Sequence, residues 1–392
     1  MTFRFLTAGE SHGKCLSAII EGMPSGIEIS VDKINLNLAR RQLGYGRGGR
    51  MKIEKDTAII NSGVRHGYTT GAPIAIVIEN KDWENWQIPM SVSSVNLEDP
   101  EIKKLVEEKR ITHVRPGHAD LAGALKYNHK DVRDVLERSS ARETAIRVAV
   151  GAFAEQFLNE FNIQLFSHVV QIGNIEARRE NFSENYLLLK EKAEKSELRC
   201  ADESACEEMK KVIDKAKEEG DTLGGIFEVV ALNVPVGLGS FVHWDRRLDS
   251  QIAQALMSIP AIKSVSIGLG EESGKIFGSQ MHDQIYSDKT TGVYSRKTNN
   301  AGGIEGGMSN GMPIIARAAM KPIPSLKKPL NSVDLATGKE HIAHYERSDV
   351  CAVSAAGVVA EAMLSTVLAN AFLEKFGGDS LVEIKKKTNP HN

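Results

Sequence analysis

The segment SAAGVVAEAMLSTVLANAFLEKF, at residues 354–376, decides the fold of this chain. It is rich in Ala, Val and Leu, and the pair Gly377-Gly378 follows it as a helix stop. Because apolar residues occupy most of its faces, the segment is expected to form a helix in the interior. A second helix of this kind is predicted over residues 144–161, and the preceding residues 140–143, with the sequence SARE, fit a capping box.

Shorter elements are predicted around these two helices. Ser30 and Gly44 bound a helix over residues 31–43, and another helix over residues 248–259 ends at Pro260. The strand candidates alternate with loops instead of forming regular βαβ units, and this mixed order favours an α+β fold over a doubly wound parallel sheet. They cover residues 58–60, 74–78, 169–175, 226–234, 265–267 and 313–320.

Charge balance and composition exclude several classes of protein. The 392 residues include 49 Lys and Arg against 51 Asp and Glu, a net charge of −2 that argues against a chain built to coat nucleic acid. No run of about 18 uncharged apolar residues occurs, so no membrane span is expected. Four scattered cysteines and an N-terminus without a signal-peptide apolar region predict a soluble cytoplasmic protein.

Residues 176–221 differ from their surroundings because Glu, Lys, Arg and Asp dominate their composition. One or two solvated helices on the surface account for such a stretch, and we adopt that interpretation. A regulatory or interaction arm is the alternative.

The strongest local signal is the sequence RRQLGYGRGGR at residues 40–50, which holds four arginines and four glycines. Arginine side chains pair bidentately with carboxylates and phosphates, and glycines let a loop close around a small anion. A site for an anionic small molecule is therefore the preferred interpretation. A solvated basic loop and a nucleic-acid patch stay open, although the second would need interleaved aromatic residues and only Tyr45 is present.

Two histidines lie in turns that suit proton transfer. His12 belongs to the sequence GESHG at residues 9–13, after the first candidate strand, and His118 belongs to RPGHAD at residues 115–120. A near-neutral pKa lets a histidine donate or accept a proton at physiological pH. A structural role is the alternative for each. The histidine spacing matches no metal-binding motif, so a catalytic metal is not indicated.

Two arginine-containing segments precede the predicted core helices. Ser140 as a helix N-cap would leave backbone amides that attract anions, and Arg138 and Arg142 would add charge, although an ordinary capped helix stays open. Asp349, two residues after Arg347, is either one partner of a salt bridge or a proton acceptor near an anion. Candidate binding loops rich in glycine or proline lie at residues 299–307 and 320–325.

Taken in chain order, these segments closely resemble the chorismate synthase family. Each motif is weak alone, but the ordered set is very specific and runs from the N-terminus to the last helix. The charged residues 176–221 have no distinctive match. The matching stretches are residues 9–13, 40–42, 47–50, 115–120, 138–143, 301–303, 306–307, 321–322 and 347–349.

The resemblance implies a lyase of the shikimate pathway, and hence of aromatic amino acid biosynthesis. The family converts 5-enolpyruvylshikimate 3-phosphate to chorismate and phosphate by a 1,4-anti elimination, which needs reduced FMN although no net redox change occurs. The implied fold is a β-α-β sandwich, with a helical core layered between antiparallel sheets, and the implied assembly is a homotetramer. We therefore expect one domain over residues 1–392, with a charged surface insertion around residues 176–221.

The resemblance also implies roles for individual residues. His12 matches the histidine that protonates the departing phosphate, His118 the histidine beside the flavin, and Asp349 the acid that helps flavin N5 to accept the C6 proton. The implied ligands of the substrate, which carries a phosphate and two carboxylates, are Ser11, Arg41, Arg47, Arg50, Arg115, Arg142 and Arg347. The implied FMN ligands are Arg138, Ser139, Ser140, Ala261, Gly306, Lys321, Pro322, Ile323, Pro324, Ser325 and Arg347.

An NAD(P)H-dependent flavin reductase or a bifunctional flavoprotein is the alternative function. NADP(H), with contacts at Arg41 and Arg47, would be needed only in that case, and the sequence lacks a dinucleotide-binding fingerprint. An RNA-binding protein that uses residues 40–50 is a third hypothesis, against which the net charge of −2 counts.

Overall fold

The structure, a computed structural model, describes residues 2–48, 55–178, 185–288, 294–328, 330–346 and 348–388. These residues form eleven α-helices and seventeen β-strands. The helices are α1 (Val31–Gln42), α2 (Pro100–Lys109), α3 (Asp120–Tyr127), α4 (Arg133–Ser139), α5 (Thr144–Asn159), α6 (Tyr186–Lys195), α7 (Glu203–Glu218), α8 (Leu248–Met257), α9 (Gly278–Met281), α10 (Val353–Phe376) and α11 (Leu381–Thr388). The strands are β1 (Arg4–Ala8), β2 (Cys15–Glu21), β3 (Ala58–Ile60), β4 (Val64–Arg65), β5 (Tyr68–Thr69), β6 (Ile74–Glu79), β7 (Gln164–Ile172), β8 (Ile175–Glu176), β9 (Gly225–Leu232), β10 (Ile262–Ile267), β11 (Ile285–Ser287), β12 (Tyr294–Arg296), β13 (Ile304–Glu305), β14 (Met308–Ser309), β15 (Ile314–Met320), β16 (Asn331–Val333) and β17 (Glu340–Ile342).

Two antiparallel sheets enclose a layer of helices. The first sheet has the strand order β1-β2-β6-β3, and the second has the order β10-β15-β9-β7-β8. Helix α5 contacts β2 and β6 of the first sheet, whereas α10 contacts β7 and β9 of the second, and the two helices pack on each other. Helices α1 and α8 complete the layer. The predicted α+β fold, with a helical core between antiparallel sheets, is confirmed.

Helix α10 is buried along almost its whole length, as its composition predicts. It is long and apolar enough to cross a membrane, but 89% of its most apolar 18-residue window is buried among the other elements, which is the environment of a core helix. It ends where Gly377 adopts a φ of 61° and donates its backbone N–H to Leu373 O at 2.9 Å. The helix predicted over residues 354–376 is confirmed to within one residue.

One charged residue, Glu361, lies in the middle of this apolar helix. Its carboxylate accepts hydrogen bonds from Arg40 at 2.8 and 3.0 Å, from Arg199 at 2.9 Å and from Ser167 at 2.6 Å. A buried carboxylate is tolerated only when it is paired and hydrogen-bonded. These contacts therefore tie α1, β7 and the chain between α6 and α7 to the core helix.

The first sheet shows the alternation of a half-buried antiparallel sheet. In β6, Ile74, Ile76 and Ile78 are fully buried against the helices, while Ala75 and Val77 on the other face are half-buried. Because β6 pairs with both β2 and β3, its isoleucines form the centre of this side of the core.

The other predicted elements are found with small differences in their bounds. Helices α1 and α8 and all six predicted strand regions are present, although residues 169–175 cover parts of both β7 and β8. Strand β2 is one of several elements that the predicted set lacks. It pairs with β1 on one side and with β6 on the other.

The predicted capping box ahead of α5 is wrong. Ser140 Oγ accepts a hydrogen bond from Arg142 N at 3.3 Å and so begins a 3-10 turn over Ala141–Glu143. The Glu143 carboxylate pairs with Arg147 at 2.9 Å instead of returning to Ser140. The α-helix itself begins at Thr144, as predicted, and ends at Asn159, two residues before the predicted end.

The charged residues 176–221 contain the expected helices, α6 and α7, but only part of each helix is solvated. Along α7, Cys206, Met209 and Ile213 recur at helical spacing and belong to the main core. The segment therefore contributes to the hydrophobic core as well as to the surface.

The contact between α5 and α10 generates a stability prediction for Gly151→Ala. In an ordinary helix this change stabilises by up to about 1 kcal/mol. Here the new Cβ would lie 2.3 Å from Ala362 Cβ and 2.4 Å from Ala362 Cα, so the two core helices must separate. Overpacking of this kind costs about 1–3 kcal/mol, and we expect a clear fall in the urea concentration at half-unfolding.

The matched control is Gly274→Ala, because a Cβ at position 274 would meet nothing within 4 Å. We expect this variant to unfold within about 0.5 kcal/mol of the wild type. Equal stability of Gly151→Ala and the wild type would contradict the close contact between the helices.

Candidate active site

A cleft of about 600 Å³ opens beside the N-terminal ends of α5 and α10. Its wall combines the turn between β1 and β2, the end of α4, and the segments that follow β15 and precede α10. The structure thus brings together motifs that are far apart in the sequence. The predicted site residues on this wall are Ser11, His12, Arg41, Arg47, Arg115, His118, Arg138, Ser139, Ser140, Arg142, Ala261, Lys321, Ile323, Pro324, Ser325 and Asp349.

His12 is held in a tight turn between the first two strands. The turn requires Gly9, which has a φ of 109° and whose added Cβ would lie 2.4 Å from Cys15 O. His12 N and Nδ1 donate to the two carboxylate oxygens of Glu137 at 2.7 and 2.8 Å. The imidazole stacks on Trp86, with 4.0 Å between the ring centroids. With Nδ1 committed to Glu137, Nε2 is the nitrogen through which His12 can exchange a proton with a ligand.

Glu137, on α4, is a buried functional residue that the sequence interpretation missed. Burial alone would raise its pKa, but hydrogen bonds from His12 and Arg133 outweigh burial and lower the pKa of Glu137 below its ordinary value. Arg133 Nη1 donates to Glu137 Oε1 at 2.8 Å, and the Arg133 guanidinium lies 5.0 Å from the centre of the Trp86 ring. An ionised Glu137 therefore fixes the orientation of the His12 ring.

His118 belongs to a second histidine–carboxylate pair. Its Nδ1 donates to Asp120 Oδ1 at 2.5 Å, and Asp120 is fully buried. Arg115 donates from Nε to Asp120 Oδ2 at 2.7 Å and from Nη2 to Oδ1 at 3.0 Å. Burial alone would raise the pKa of Asp120, but these hydrogen bonds hold it well below its ordinary value. Asp120 thus orients both His118 and Arg115.

Arg115 also connects the cleft to the segment after β15. Its Nη1 donates to Ser325 Oγ at 3.1 Å, and Ser348 Oγ donates to Ser325 O at 2.7 Å. Three separate segments of the chain are therefore joined beside His118.

Asp349 is held by the arginine-rich segment that follows α1. Its Oδ1 accepts a hydrogen bond from Gly48 N at 2.6 Å, and its Oδ2 pairs with Arg47 Nη1 at 3.2 Å. A Cβ at position 48 would lie 3.3 Å from Asp349 Oδ1, so glycine suits this close approach of backbone to carboxylate.

Arg41 and Arg142 share the buried carboxylate of Asp56. Arg142 Nη1 donates to both Asp56 oxygens at 2.5 and 2.6 Å, and Arg41 Nη1 lies 3.7 Å from Asp56 Oδ2. Burial, together with the neighbouring arginines, lowers the pKa of Arg41 to about 10. Within the described part of the chain, the buried Nη1 of Arg41 has no hydrogen-bond acceptor.

The wall of the cleft is strongly basic. Among the residues that the structure describes, seven Arg and Lys side chains line it against three Asp and Glu side chains. The first turns of α5 and α10 add the positive ends of two helix dipoles. A cleft with this field concentrates ligands that carry several negative charges.

Comparison with known proteins accounts for this arrangement. Residues 3–373 match the family described as chorismate synthase. The chain belongs to the chorismate synthase family. Chorismate synthases of Geobacter sulfurreducens and Aquifex aeolicus are each 56% identical to it over 390 residues, which cover 98% of this chain and 96% of the relative. A crystal structure of chorismate synthase covers 100% of this chain and 97% of its own, with a TM-score of 0.79 and 46% identity.

Membership of the chorismate synthase family confirms the resemblance drawn from the ordered motifs and makes the protein a carbon–oxygen lyase. The flavin positions expected of a chorismate synthase fall mostly on the cleft wall. Arg138 donates to Gly9 O at 3.1 Å and to Thr7 O at 3.0 Å, and Lys321 Nζ donates to Gly117 O at 2.5 Å. Because these acceptors are neutral carbonyls, the bonds leave both positive charges uncompensated.

Ala261, another of these positions, has an unusual backbone conformation. Its φ of 69° lies in the left-handed region, which costs a residue with a Cβ about 1–2 kcal/mol. Its carbonyl accepts a hydrogen bond from Lys321 N at 2.9 Å, which joins the end of α8 to the segment after β15. Backbone strain of this kind concentrates at ligand sites.

Four predicted positions are not on the described wall. Gly306 lies in the turn of the β13–β14 hairpin, and Pro322 lies between two lining residues without lining the cleft itself. Arg50 and Arg347 lie outside the described residues. Their assignments to substrate and flavin stay predictions.

The buried Asp120 generates a prediction for the pH dependence of stability. Its folded-state pKa is depressed, so the stability that it contributes is present above the unfolded-state pKa near 3.8 and is lost as the pH falls through the folded-state value. At pH 7, Asp120→Asn removes a charge from a buried cluster and should cost about 3–5 kcal/mol. The free energy of unfolding, measured with urea from pH 7 to pH 3, should differ less between wild type and variant as the pH falls below about 3.8.

The control is Asp245→Asn, because His243 and Asp245 repeat the same spacing and hydrogen bond, at 2.6 Å, on the exposed surface. We expect its unfolding midpoint to match that of the wild type, since exposed pairs contribute little. If the difference in free energy of unfolding between Asp120→Asn and the wild type does not change with pH, the ionised state of Asp120 is contradicted.

Proposed function

We propose that this protein removes phosphate from 5-enolpyruvylshikimate 3-phosphate by a 1,4-anti elimination that requires reduced FMN. The product is chorismate, and the reaction is the last step of the shikimate pathway. The observation that carries the proposal is a single basic cleft that joins His12, His118 and Asp349 in a member of the chorismate synthase family.

The charges of the cleft suit a substrate with one phosphate and two carboxylates. Arg41, Arg47 and Arg142 lie together, and the carboxylates of Asp56 and Asp349 hold them in place without cancelling their charge. Arg41 lines the cleft, and its guanidinium is the kind of group that pairs with phosphates and carboxylates. Arginines that are already oriented bind such a ligand with little further loss of side-chain entropy.

His12 is the proposed acid for departure of the phosphate. A protonated imidazole can donate its Nε2 proton to the phosphate oxygen as the carbon–oxygen bond breaks, and it stabilises the negative charge that develops there. Glu137 holds Nδ1 at 2.8 Å and Trp86 covers one face of the ring, so the proton is delivered from a fixed direction.

The wall chemistry of the cleft fits a flavin that carries a phosphate. One part of the wall is apolar and is formed by Ile259, Met320 and the α10 residues Ala355, Ala356 and Val359. Another part carries the charges of Arg138 and Lys321. The residues that would hold FMN are Arg138, Ser139, Ser140, Ala261, Lys321, Ile323, Pro324 and Ser325. When bound, the reduced flavin supplies transient electron donation, which no side chain offers.

His118 and Asp349 are assigned to the flavin side of the reaction. With Nδ1 on Asp120, a protonated His118 can donate a hydrogen bond from Nε2 to an anionic partner. Asp349 is proposed to assist the transfer of the C6 proton of the substrate to flavin N5, the role that the family resemblance implies. Gly48 N and Arg47 hold its two oxygens, which fixes the position of the carboxylate in the cleft.

We further infer that the enzyme works as a homotetramer in the cytoplasm. All four cysteines are free thiols, which suits a reducing compartment. Large apolar side chains such as Phe241, Trp244 and Phe277 are more than two-thirds exposed in the single chain, which suits burial between copies. Light scattering after size-exclusion chromatography measures the assembly, and a mass near 43 kDa would contradict the tetramer.

The proposed reaction predicts flavin-dependent release of phosphate. The purified protein is incubated anaerobically with 5-enolpyruvylshikimate 3-phosphate, with and without chemically reduced FMN, and inorganic phosphate and chorismate are measured. We expect equal amounts of both products, and only when reduced FMN is present. Release of phosphate that does not depend on flavin, or no release at all, would contradict the proposal.

The same protein tests the alternative flavin reductase activity. With NADPH and oxidised FMN but no substrate, we expect no NADPH oxidation above the rate without enzyme. Rapid oxidation would make the protein bifunctional and would assign NADP(H) a role.

Two substitutions test the assigned proton transfers. His12→Ala and Asp349→Ala should each lower kcat by about 10²–10⁴-fold, because each removes a positioned acid or base. FMN binding, followed by flavin absorbance, should persist in both variants, since neither residue is assigned to holding the cofactor.

The control is His243→Ala, because His243 is exposed and does not line the cleft. We expect wild-type kcat from this variant. Loss of FMN binding in both His12→Ala and Asp349→Ala would show that their assigned roles are wrong.

A further inference from the structure

Residues 43–48, here called the arginine loop, carry Arg47 and Gly48 to the carboxylate of Asp349. The outer side of this loop is held by the charged segment that contains α6 and α7. Tyr45 Oη donates to the Asp214 carboxylate, with 2.9 and 2.8 Å to its two oxygens. Tyr45 N donates to Glu197 O at 3.1 Å. The loop is therefore fastened to α7 and to the turn before it.

The backbone of the loop also pairs with the segment that carries Asp349. Gly46 O accepts a hydrogen bond from Val350 N at 2.9 Å, and Val350 O accepts one from Leu223 N at 2.9 Å. A Cβ on Gly46, whose φ is 83°, would lie 2.9 Å from Ile213 Cγ2 on α7. The segment that carries Asp349 thus lies between the arginine loop and the chain that leaves α7.

Through these contacts, α7 and the chain that follows it support both the segment of Arg47 and the segment of Asp349. Helix α7 touches the loop directly through Asp214 and Ile213, and the chain after it reaches the Asp349 segment through Leu223. The side chains of Arg47 and Asp349 are 9% and 19% exposed, whereas Asp214 lies on the surface. A surface contact can therefore control the position of Arg47 inside the cleft.

We propose that Tyr45 and Asp214 are positioning residues for this enzyme: their hydrogen bond latches the arginine loop and so sets the geometry of Arg47 toward the substrate. The proposal rests on the proposed function, because it assigns Arg47 to substrate binding. It also gives the charged segment a role, since α7 is the surface on which the loop is latched.

The surface location of the Tyr45–Asp214 hydrogen bond distinguishes a role in positioning the loop from a contribution to folding. The Tyr45–Asp214 bond is exposed, and the apolar face of α7 is buried without it through Cys206, Met209 and Ile213. Removing the tyrosine hydroxyl leaves no buried polar group without a partner, so the global stability should change little. The loop, in contrast, loses a side-chain hydrogen bond that fixes its position.

The experiment uses the full chain with Tyr45→Phe, with Asp214→Ala, which removes the acceptor of the Tyr45 hydrogen bond, and with the double variant. Each single variant should raise the KM for 5-enolpyruvylshikimate 3-phosphate about tenfold, the loss expected for a hydrogen bond to a charged group, while kcat changes less than about twofold. The double variant should be no worse than either single variant, because all three break the same bond. Asp214→Glu keeps a carboxylate acceptor and should recover most of the affinity.

A second measurement follows the loop without substrate. Hydrogen exchange detected by mass spectrometry on peptides that cover residues 43–48 should be at least about fivefold faster in Tyr45→Phe and in Asp214→Ala, since Tyr45 N loses protection. The control is Glu208→Gln on the same helix, where the carboxylate pairs with Lys211 at 2.6 Å on the exposed face. It should leave both KM and exchange unchanged.

The outcomes separate the latch from the proposed function. Unchanged exchange in both single variants overturns the inference, and so does faster exchange with an unchanged KM. An additive double variant also overturns it, because the two residues would then act independently. A wild-type protein without lyase activity would instead refute the proposed function, and the exchange data would still decide whether the Tyr45–Asp214 bond holds the loop.

Discussion

The close contact between Gly151 of α5 and Ala362 of α10 is the constraint on which the rest of the structure depends. Each helix carries one sheet on its outer side, so the distance between the helices sets the thickness of the whole sandwich. Their N-terminal ends also border the same cleft. A larger residue at position 151 would therefore alter the core and the site together, since close-packed interiors transmit strain.

The second organising feature is the pairing of basic side chains with carboxylates in the cleft wall. Asp56, Asp120, Glu137 and Asp349 each hold an arginine or a histidine at the cleft. Burying the arginines in a low-dielectric wall without partners would be too costly, and neutralising all of them would leave nothing to attract an anion. The excess of basic over acidic side chains on the wall resolves this conflict, because each cation is oriented while the cleft stays positive.

How far the site could be predicted depends on where the partners of each residue lie. His12 and His118 are marked by short motifs, and Asp120 could have been added because it follows His118 by two residues. Glu137 and Trp86 carry no such signal, since they meet His12 only through the packing of α4 and of the segment after β6. The wrong capping box has a similar cause. The Glu143 carboxylate prefers Arg147 one turn ahead, which no pattern of four residues reveals.

The sequence by itself determined the two apolar core helices, the α+β class and the set of ordered motifs, because periodicity and local turn chemistry are properties of neighbouring residues. Only the tertiary structure decided that the charged residues 176–221 contribute to the hydrophobic core as well as to the surface. It also decided that α7 packs against the arginine loop, and which carboxylate pairs with which basic side chain. Those facts follow from contacts between residues as distant as Tyr45 and Asp214, or Gly48 and Asp349. Such contacts exist only after the helices have packed, because buried side chains take the partners that the shared core places within reach.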